Sequence, residues 1–565
     1  MTVCKLGITC PPTWVCALAI VIASQLVVFA HQLARFHYTH RSPGNGKIPP
    51  KYPFLIPYLG AILPLLRDTR ETLTRLTCYN GKPTVARVPM LPGIDVYLYQ
   101  DPDIIERIWK VSSSLDFRPM AVHFLRNACG LSRESANLYL LDKTGMNAKP
   151  LPGTSCPEHP RVYRKIYESD RQALIGPGLD PTLQRFIDAF SRRMAVFTAT
   201  EWIEMEDFWT CIQHTVAAAE IEAIFGPKFL EMHPDFISLF FEYDRLIPSL
   251  LKMLPFSRAE RLRSKLHGKF RSWVRRTRKN HAAAPNDNEG DHDPHWGCRW
   301  TRYRHEAFQP FFDDDAIASI NVGVAWGALA NTTPCAMMAI IHTLQDASLH
   351  QRLRRDLDEL CNGKSLKDVH HKELTGHVLL SAIFAETLRL HMTVLMPVIP
   401  LDGELDLGRW RIPRASWGFI NAGVAHHNEH VWNTKGGLHR VESFWADRFI
   451  VDPADPSSGP SRHQSRHQHA QSRHDDGHGS KPYFSLDGLE GSWVPFGGGR
   501  NMCPGRFLAK GVITFALAMM VSQYDIELLT DTIPTGKDRF GIGVELPTRK
   551  IPFRIRKRRA PNGTH

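Results

Sequence analysis

Between Trp14 and Ala30 the chain reads WVCALAIVIASQLVVFA, a run without a single charge. With its flanks the run approaches the roughly 20 residues that a helix needs to cross a bilayer. A cleaved leader would be shorter and would end at a small-residue site. This run passes instead into Arg35, His37, His40, Arg41 and Lys47, with only Lys5 before it. The positive charge on its C-terminal side predicts a signal anchor, with the N-terminus in the lumen and everything after residue 35 in the cytosol. The rest of the chain must then fold as a body tethered at one end. Residues 1–34 are the expected anchor, and residues 35–60, containing GNGKIPPKYPFLIPYLG, a stiff proline-rich hinge.

Residues 61–565 are expected to form one domain, and at 43% apolar and 22% charged residues in the whole chain its core can be large. Eleven cysteines, an odd number without regular spacing, do not make a disulfide framework and point to a reducing compartment. The net charge of +12, part of it in the tail from Arg549 to Arg559, suits anionic lipid or an acidic protein partner. No interleaving of aromatic and basic residues supports nucleic acid as a partner. PTVARVP and IDVYLYQ, within 83–100, read as two short strands joined at Leu91-Pro92-Gly93. From residue 101 apolar residues recur mostly at three and four, so the body is mainly α with small β-sheets. Two polar stretches interrupt it: a surface loop at 281–298, and a histidine-rich, low-complexity insertion at 452–481 that reads as disordered.

Two motifs point away from each other. HHNEH at 426–430 has the H-x-x-E-H form of a zinc hydrolase, which needs His426 and His430 stacked on one helix with Glu429 as base. Gly423 and Asn428 are poor helix formers, and WGFINAGVAHH reads as a strand ending in a turn, so this is the alternative rather than the main reading. The second is FGGGRNMCPGR at 496–506. Its glycines lack the lysine and Ser/Thr of a phosphate-binding loop, and Cys503 has no partner cysteine nearby. Glycines let the backbone come close to the sulfur. RFLAKGVITFALAMMV, from Arg506, predicts a helix whose N-terminal N–H groups stabilise negative sulfur. A single thiolate metal ligand fits this setting, and a buried inert cysteine remains the other reading.

The loop resembles the cysteine loop of the cytochrome P-450 family of haem-thiolate monooxygenases, through Phe496, Gly499, Cys503 and Gly505, with Pro504 also common there. It departs at Asn501, where the family usually has a base; the resemblance leaves Arg500 as the candidate contact to a haem propionate. Further marks occur in the family's order. Glu386 and Arg389, in LLSAIFAETLRLHM, match its Glu-x-x-Arg helix, and Arg448, in FWADRF, matches the third member of a structural Glu-Arg-Arg network. Thr332 aligns with the oxygen-activating threonine on a central helix of roughly 311–345, preceded by Asn331 where an acid is usual. The family's C-helix tryptophan is not evident; Arg161, Arg164 and Arg171 are the substitutes that the sequence offers.

The resemblance implies a b-type haem held by Cys503, with O2 and substrate against Ala328, Asn331 and Thr332, and with 394–398 (VLMPV) as a second wall. No flavin or nicotinamide fingerprint is present, so NADPH-derived electrons are expected from a separate reductase. The pattern W-x-A-x-x-N-T-x-P resembles the branch with sterol 7-alpha-hydroxylases and prostacyclin synthase. The cysteine loop and the insertion are similar to those of fungal members that tailor specialised metabolites. The expectation is a single-pass protein of the endoplasmic reticulum membrane, with a cytosolic domain acting on a lipophilic terpenoid, sterol, polyketide or alkaloid. A haem-thiolate isomerase or dehydratase that works without reductase is the rival within the family.

Overall fold

The longest helix of the body, Asp314–Gln345, runs through its core. In the computed structural model, which describes residues 13–56, 59–151, 153–154, 160–252, 257–281, 293–401, 403–462 and 481–559, most of the structure is helical. The central helix starts where the Asp313 side chain accepts the Ala316 N–H, with Asp314 and Asp315 complementing the positive end of the helix dipole. It is apolar and long enough to cross a membrane, but 78% of its apolar window is buried inside the protein. Helices Ser257–His281, Val378–His391 and Arg506–Gln523 pack around it. The expected central helix and cysteine helix are therefore both present, shifted by two or three residues at their ends.

Four strands form the largest sheet, in the order Ala86–Leu91, Ile94–Tyr99, Trp417–Asn421, Leu395–Val398. The outer pairs are antiparallel and the middle pair is parallel, with Tyr99 opposite Ile420 and Ile420 opposite Met396. The first two strands are the pair expected within 83–100. A second sheet has Phe553–Lys557 at its centre, between Ile203–Met205 and Tyr524–Leu528, the last of which directly follows the cysteine helix. Residues 282–292 of the expected loop and 463–480 of the expected insertion lie outside the described residues.

At the N-terminus one helix spans Thr13–Arg41, and none of its most apolar 18-residue window is buried. It does not stop near residue 34: the first seven residues of the expected hinge are its last two turns. The reason is packing. His40 stacks on Tyr79 at 4.4 Å between ring centroids and meets Trp410 at 5.4 Å, while Phe36 packs on Tyr52 and Tyr79. Arg409 donates to the His40 carbonyl. These contacts order the helix up to the body, so the chain bends only after Arg41.

Among the described residues buried charge is mostly paired, and Glu220 stands out. Glu220, in helix Ala218–Phe225, is 1% exposed, and its Oε2 has no hydrogen-bond partner. Burial raises its pKa well above the ordinary carboxylate value, and no cation opposes this. A raised acid pKa means that stability is lost as pH rises from the unfolded-state value of 4.5 toward the folded one. Glu220→Gln should therefore raise the melting temperature at pH 7.5, by roughly 2 °C per kcal/mol recovered, and change little at pH 4.5. Thermal scans across this range check it; an unchanged pH slope in the variant would contradict the account.

Candidate active site

The loop around Cys503 is shaped by what presses on it. Gly497 and Gly499 have φ of +70° and +60°, a region that side-chain-bearing residues rarely adopt. A Cβ on Gly498 would lie 2.5 Å from Trp109 Nε1, and one on Gly499 would lie 2.3 Å from Ser112 Oγ. Ser112 Oγ in turn accepts the Arg500 N–H at 2.9 Å. The Cys503 N–H donates to the Phe496 carbonyl at 3.0 Å and closes the loop. The glycines are therefore required by the 109–114 segment as well as by the turn. Sequence reasoning did not find Trp109 and Ser112; what pointed to them was only the unexplained triple glycine.

Cys503 is solvent-accessible, yet enough protein surrounds it that burial raises its thiol pKa. The backbone N–H groups of Gly505 and Arg506, at the start of helix Arg506–Gln523, pull the pKa down without reversing it. Arg506 also donates to the Cys503 carbonyl at 2.9 Å. Such a sulfur sits in a concavity, reachable by a group that enters it. The central helix has an accessible side of its own: Gly323, Trp326, Gly327, Ala328 and Asn331 are at least partly exposed, with buried residues between them. A Cβ on Gly327 would meet nothing within 4 Å.

Thr332, 6% exposed, lies one residue beyond this stripe. The Thr333 hydroxyl beside it is enclosed and has no partner. The carboxamide of Asn331 is committed elsewhere. Its Oδ1 accepts the Val544 N–H at 3.1 Å, and a Cβ on Gly543 would lie 2.2 Å from the same oxygen. Asn331 thus pins the 539–544 loop onto the central helix. The same loop holds Arg539, buried against Asp244, while Asp244 Oδ1 accepts the Trp326 Nε1–H at 2.9 Å. This charged cluster gave no signal in the sequence, because its members are separated by almost three hundred residues. The Gly541 carbonyl accepts the Leu395 N–H at 2.8 Å and so brings 394–398 to the same place.

Behind the loop lies a buried charge network. Glu386 pairs with Arg389 at 2.6 and 2.8 Å and with Arg448 at 3.2 Å, all three side chains fully buried. Burial alone would raise the Glu386 pKa, but Arg389 and Arg448 outweigh it and hold it below the usual value. The Trp445 N–H donates to Glu386 at 3.0 Å, and Arg389 donates to the carbonyls of His426 and Val441 at 2.9 and 2.7 Å. His426, kept neutral by burial, then accepts the Val494 N–H through Nε2 at 3.0 Å. The network therefore reaches the cysteine loop through this histidine.

That role removes the zinc reading. The short helix Ala422–Ala425 ends before His426, and residues 426–430 form turns. His426 points inward, whereas Glu429 and His430 are exposed, so the three donors do not converge. Asn428 cannot continue the helix against its own turn. The proposed arginine substitutes are likewise occupied: Arg161 donates to the Ala148 and Asn147 carbonyls at 2.8 and 2.7 Å, and Arg164 to the Met146 carbonyl at 3.1 Å. Arg171 is exposed. Arg500 is partly exposed on the loop.

A mostly helical body with an accessible cysteine in a glycine loop, braced by a buried Glu-Arg-Arg network, defines the haem-thiolate class. A cytochrome P-450 family model matches residues 472–553, which include Cys503. Across 541 residues, 92% of this chain and 89% of the relative, the sequence is 30% identical to the cytochrome P-450 monooxygenase fsoE of Humicola fuscoatra. It is 28% identical over 537 residues, 92% and 91% of the two chains, to the monooxygenase efuG of Hormonema carpetanum. A 25-hydroxycholesterol 7-alpha-hydroxylase of Rattus norvegicus is 24% identical over 268 residues, 45% of this chain and 55% of that one. The chain belongs to the cytochrome P-450 family. It is a haem-dependent monooxygenase that uses O2 and electrons from a redox partner.

The residues present fit haem: an accessible sulfur, glycines that leave room beside it, and open space at Gly327. Replacing Glu386 by Gln leaves two buried guanidinium groups without their charge partner, a loss of about 3–5 kcal/mol. Expression of Glu386→Gln should give little soluble, haem-loaded protein, and Arg389→Lys should fail similarly because an ammonium cannot reproduce the paired contact. Normal yield and melting temperature in either variant would contradict the bracing role.

Proposed function

We propose that Cys503 would supply the thiolate that holds a b-type haem and that the enzyme inserts one oxygen atom into a lipophilic small molecule. The observation that carries this is the accessible, protein-surrounded sulfur of Cys503, with its loop closed by the Phe496 carbonyl. When bound, haem supplies the iron at which O2 is activated, and a thiolate ligand favours O–O cleavage. The chain's own part is positioning and proton supply. The N–H groups of Gly505 and Arg506 face the sulfur and offset the negative charge that it must carry as a ligand. Phe496, Gly499, Arg500 and Gly505 complete the loop around the cofactor, with Arg500 the candidate partner of a propionate. Glu386, Arg389 and Arg448 act structurally, by holding that loop.

On the opposite side Thr332 offers the hydroxyl for proton delivery. An amide cannot release a proton, and the Asn331 oxygen is already taken by Val544, so the relay runs through the Thr332 hydroxyl and water. Asn331 is thus a positioning residue. Gly327 and Ala328 leave space for substrate along the central helix, and 394–398 would be the second wall, drawn toward that helix by the Leu395 N–H on the Gly541 carbonyl. The fungal relatives support a role in specialised metabolism, with a terpenoid, sterol, polyketide or alkaloid as substrate. The exposed apolar helix Thr13–Arg41 supports a single-pass anchor in the endoplasmic reticulum membrane, with the domain cytosolic and served by an NADPH-dependent reductase.

Cys503→Ala should abolish the red-shifted carbon monoxide band of the reduced protein; an unaltered band would refute the ligand assignment. Thr332→Ala should leave that band intact and lower product formed per electron consumed by roughly tenfold or more. In metabolite assays of membranes, product formation should require NADPH and reductase. Product formed without them would instead establish the isomerase.

A further inference from the structure

Away from the haem site, two segments meet at the surface beside the cysteine helix. Helix Leu179–Met194 packs so closely on Arg506–Gln523 that a Cβ on Gly511 would lie 2.3 Å from Leu183 Cδ2. The short helix His371–Gly376 packs on the same helix. Where the two segments face each other, Asp180, His370 and His371 each bring a donor atom within 4.8 Å of the others.

We propose that Asp180, His370 and His371 form a binding site for a divalent transition ion, Zn2+ being the ion that their chemistry fits best. Two imidazoles and a carboxylate, with water in the fourth position, are a borderline donor set of the kind that zinc takes in tetrahedral geometry. His371 Nε2 lies 3.1 Å from Asp180 Oδ1, with its side chain 11% exposed. At that distance the imidazole and the carboxylate form a close pair, and a divalent ion would take the place of the proton between them. Ligands at zinc distances around a tetrahedral centre are themselves roughly 3.4 Å apart, close to the separation seen.

The surrounding groups are compatible. Lys372 Nζ sits 3.3 Å from the other carboxylate oxygen, Oδ2, and so orients Asp180 with Oδ1 toward His371. His370 stands 4.6 Å from His371 between ring centroids. Its Nδ1 accepts the Lys372 N–H at 3.2 Å, so ligation by His370 exchanges a helix cap for a metal bond. That exchange weakens the site relative to one whose imidazoles are free, and the Kd against which binding is tested is on the order of 10 µM. A bound ion would clamp two segments that both rest on the helix leaving Cys503.

Calorimetric titration of the haem-loaded, full-length protein with ZnCl2 tests this. The background is a variant with His463, His467, His469, His474 and His478 changed to alanine, so that the histidine-rich segment does not contribute. One-to-one binding and a zinc-dependent rise in melting temperature are expected. Both should vanish in Asp180→Asn/His370→Ala/His371→Ala, with the carbon monoxide spectrum unchanged. If that variant fails to fold, exposed His370→Ala alone should weaken binding about tenfold. Binding that survives these substitutions, or its absence at 100 µM zinc (about ten times the expected Kd), would overturn the proposal.

Discussion

Everything near the cysteine depends on one carboxylate. Glu386 is fully buried, and so are the two guanidinium groups that neutralise it. Removing three charges from water is expensive, and the mutual attraction repays it only where geometry and further hydrogen bonds are complete. Here they are: Glu386 also accepts the Trp445 N–H, Arg389 donates to two carbonyls beyond Glu386, and Arg448 donates to the Asn433 carbonyl. The stacking faces of Trp432 and Trp445 lie over Arg389 and Arg448 at 5.3 and 5.2 Å. The network ties helix Val378–His391 to the loops between residues 426 and 448. Without Glu386 two guanidinium charges stay uncompensated in the interior, and without either arginine the carboxylate and the carbonyls it binds lose a donor, so the members depend on one another.

From that fixed base the position of Cys503 is inherited. His426 connects the network to Val494, Trp493 Nε1 donates to the Ala385 carbonyl at 3.3 Å, and Gly491 lies so close to Pro102 that a Cβ would be 2.1 Å from its carbonyl oxygen. The loop is thereby held from the helix on one side and from the 102–114 segment on the other. Its rigidity comes from neighbours; the glycines only permit the approach. A sulfur placed in this way keeps its accessibility without depending on a flexible turn.

The accessible side of the central helix is organised by a different device, the 539–544 loop. It reaches the central helix through Asn331 and Val544, and the Asp244 helix through Arg539. An acid at position 331 would place a second carboxylate in a region that already holds the buried Asp244. The amide keeps the acceptor for Val544 and adds no charge. The departure from the family's usual acid–alcohol pair thus has a structural counterpart, with Thr332 left as the hydroxyl.

How much of this could be read from the chain alone depends on the range of each interaction. Local periodicity and short-range spacing revealed the central helix, the cysteine helix, the 83–100 strand pair and the apolar N-terminal segment, because those signals lie within one element. Glu386 and Arg389 share a helix face and were legible for the same reason; Arg448 was reached by resemblance to the family. Trp109, Ser112, Asp244 and Arg539 were invisible, since their partners are hundreds of residues away and no local pattern marks them. HHNEH could stand only as an alternative, because a five-residue motif carries no information on whether its donors converge. By itself, then, the sequence determined the helical body, the apolar N-terminal segment and a lone cysteine in a glycine loop, which are properties of consecutive residues. Only the tertiary structure decided that Asn331 serves a loop and that His426 serves a backbone N–H. Burial and direction, which settle what a side chain can bind, exist only once distant segments meet.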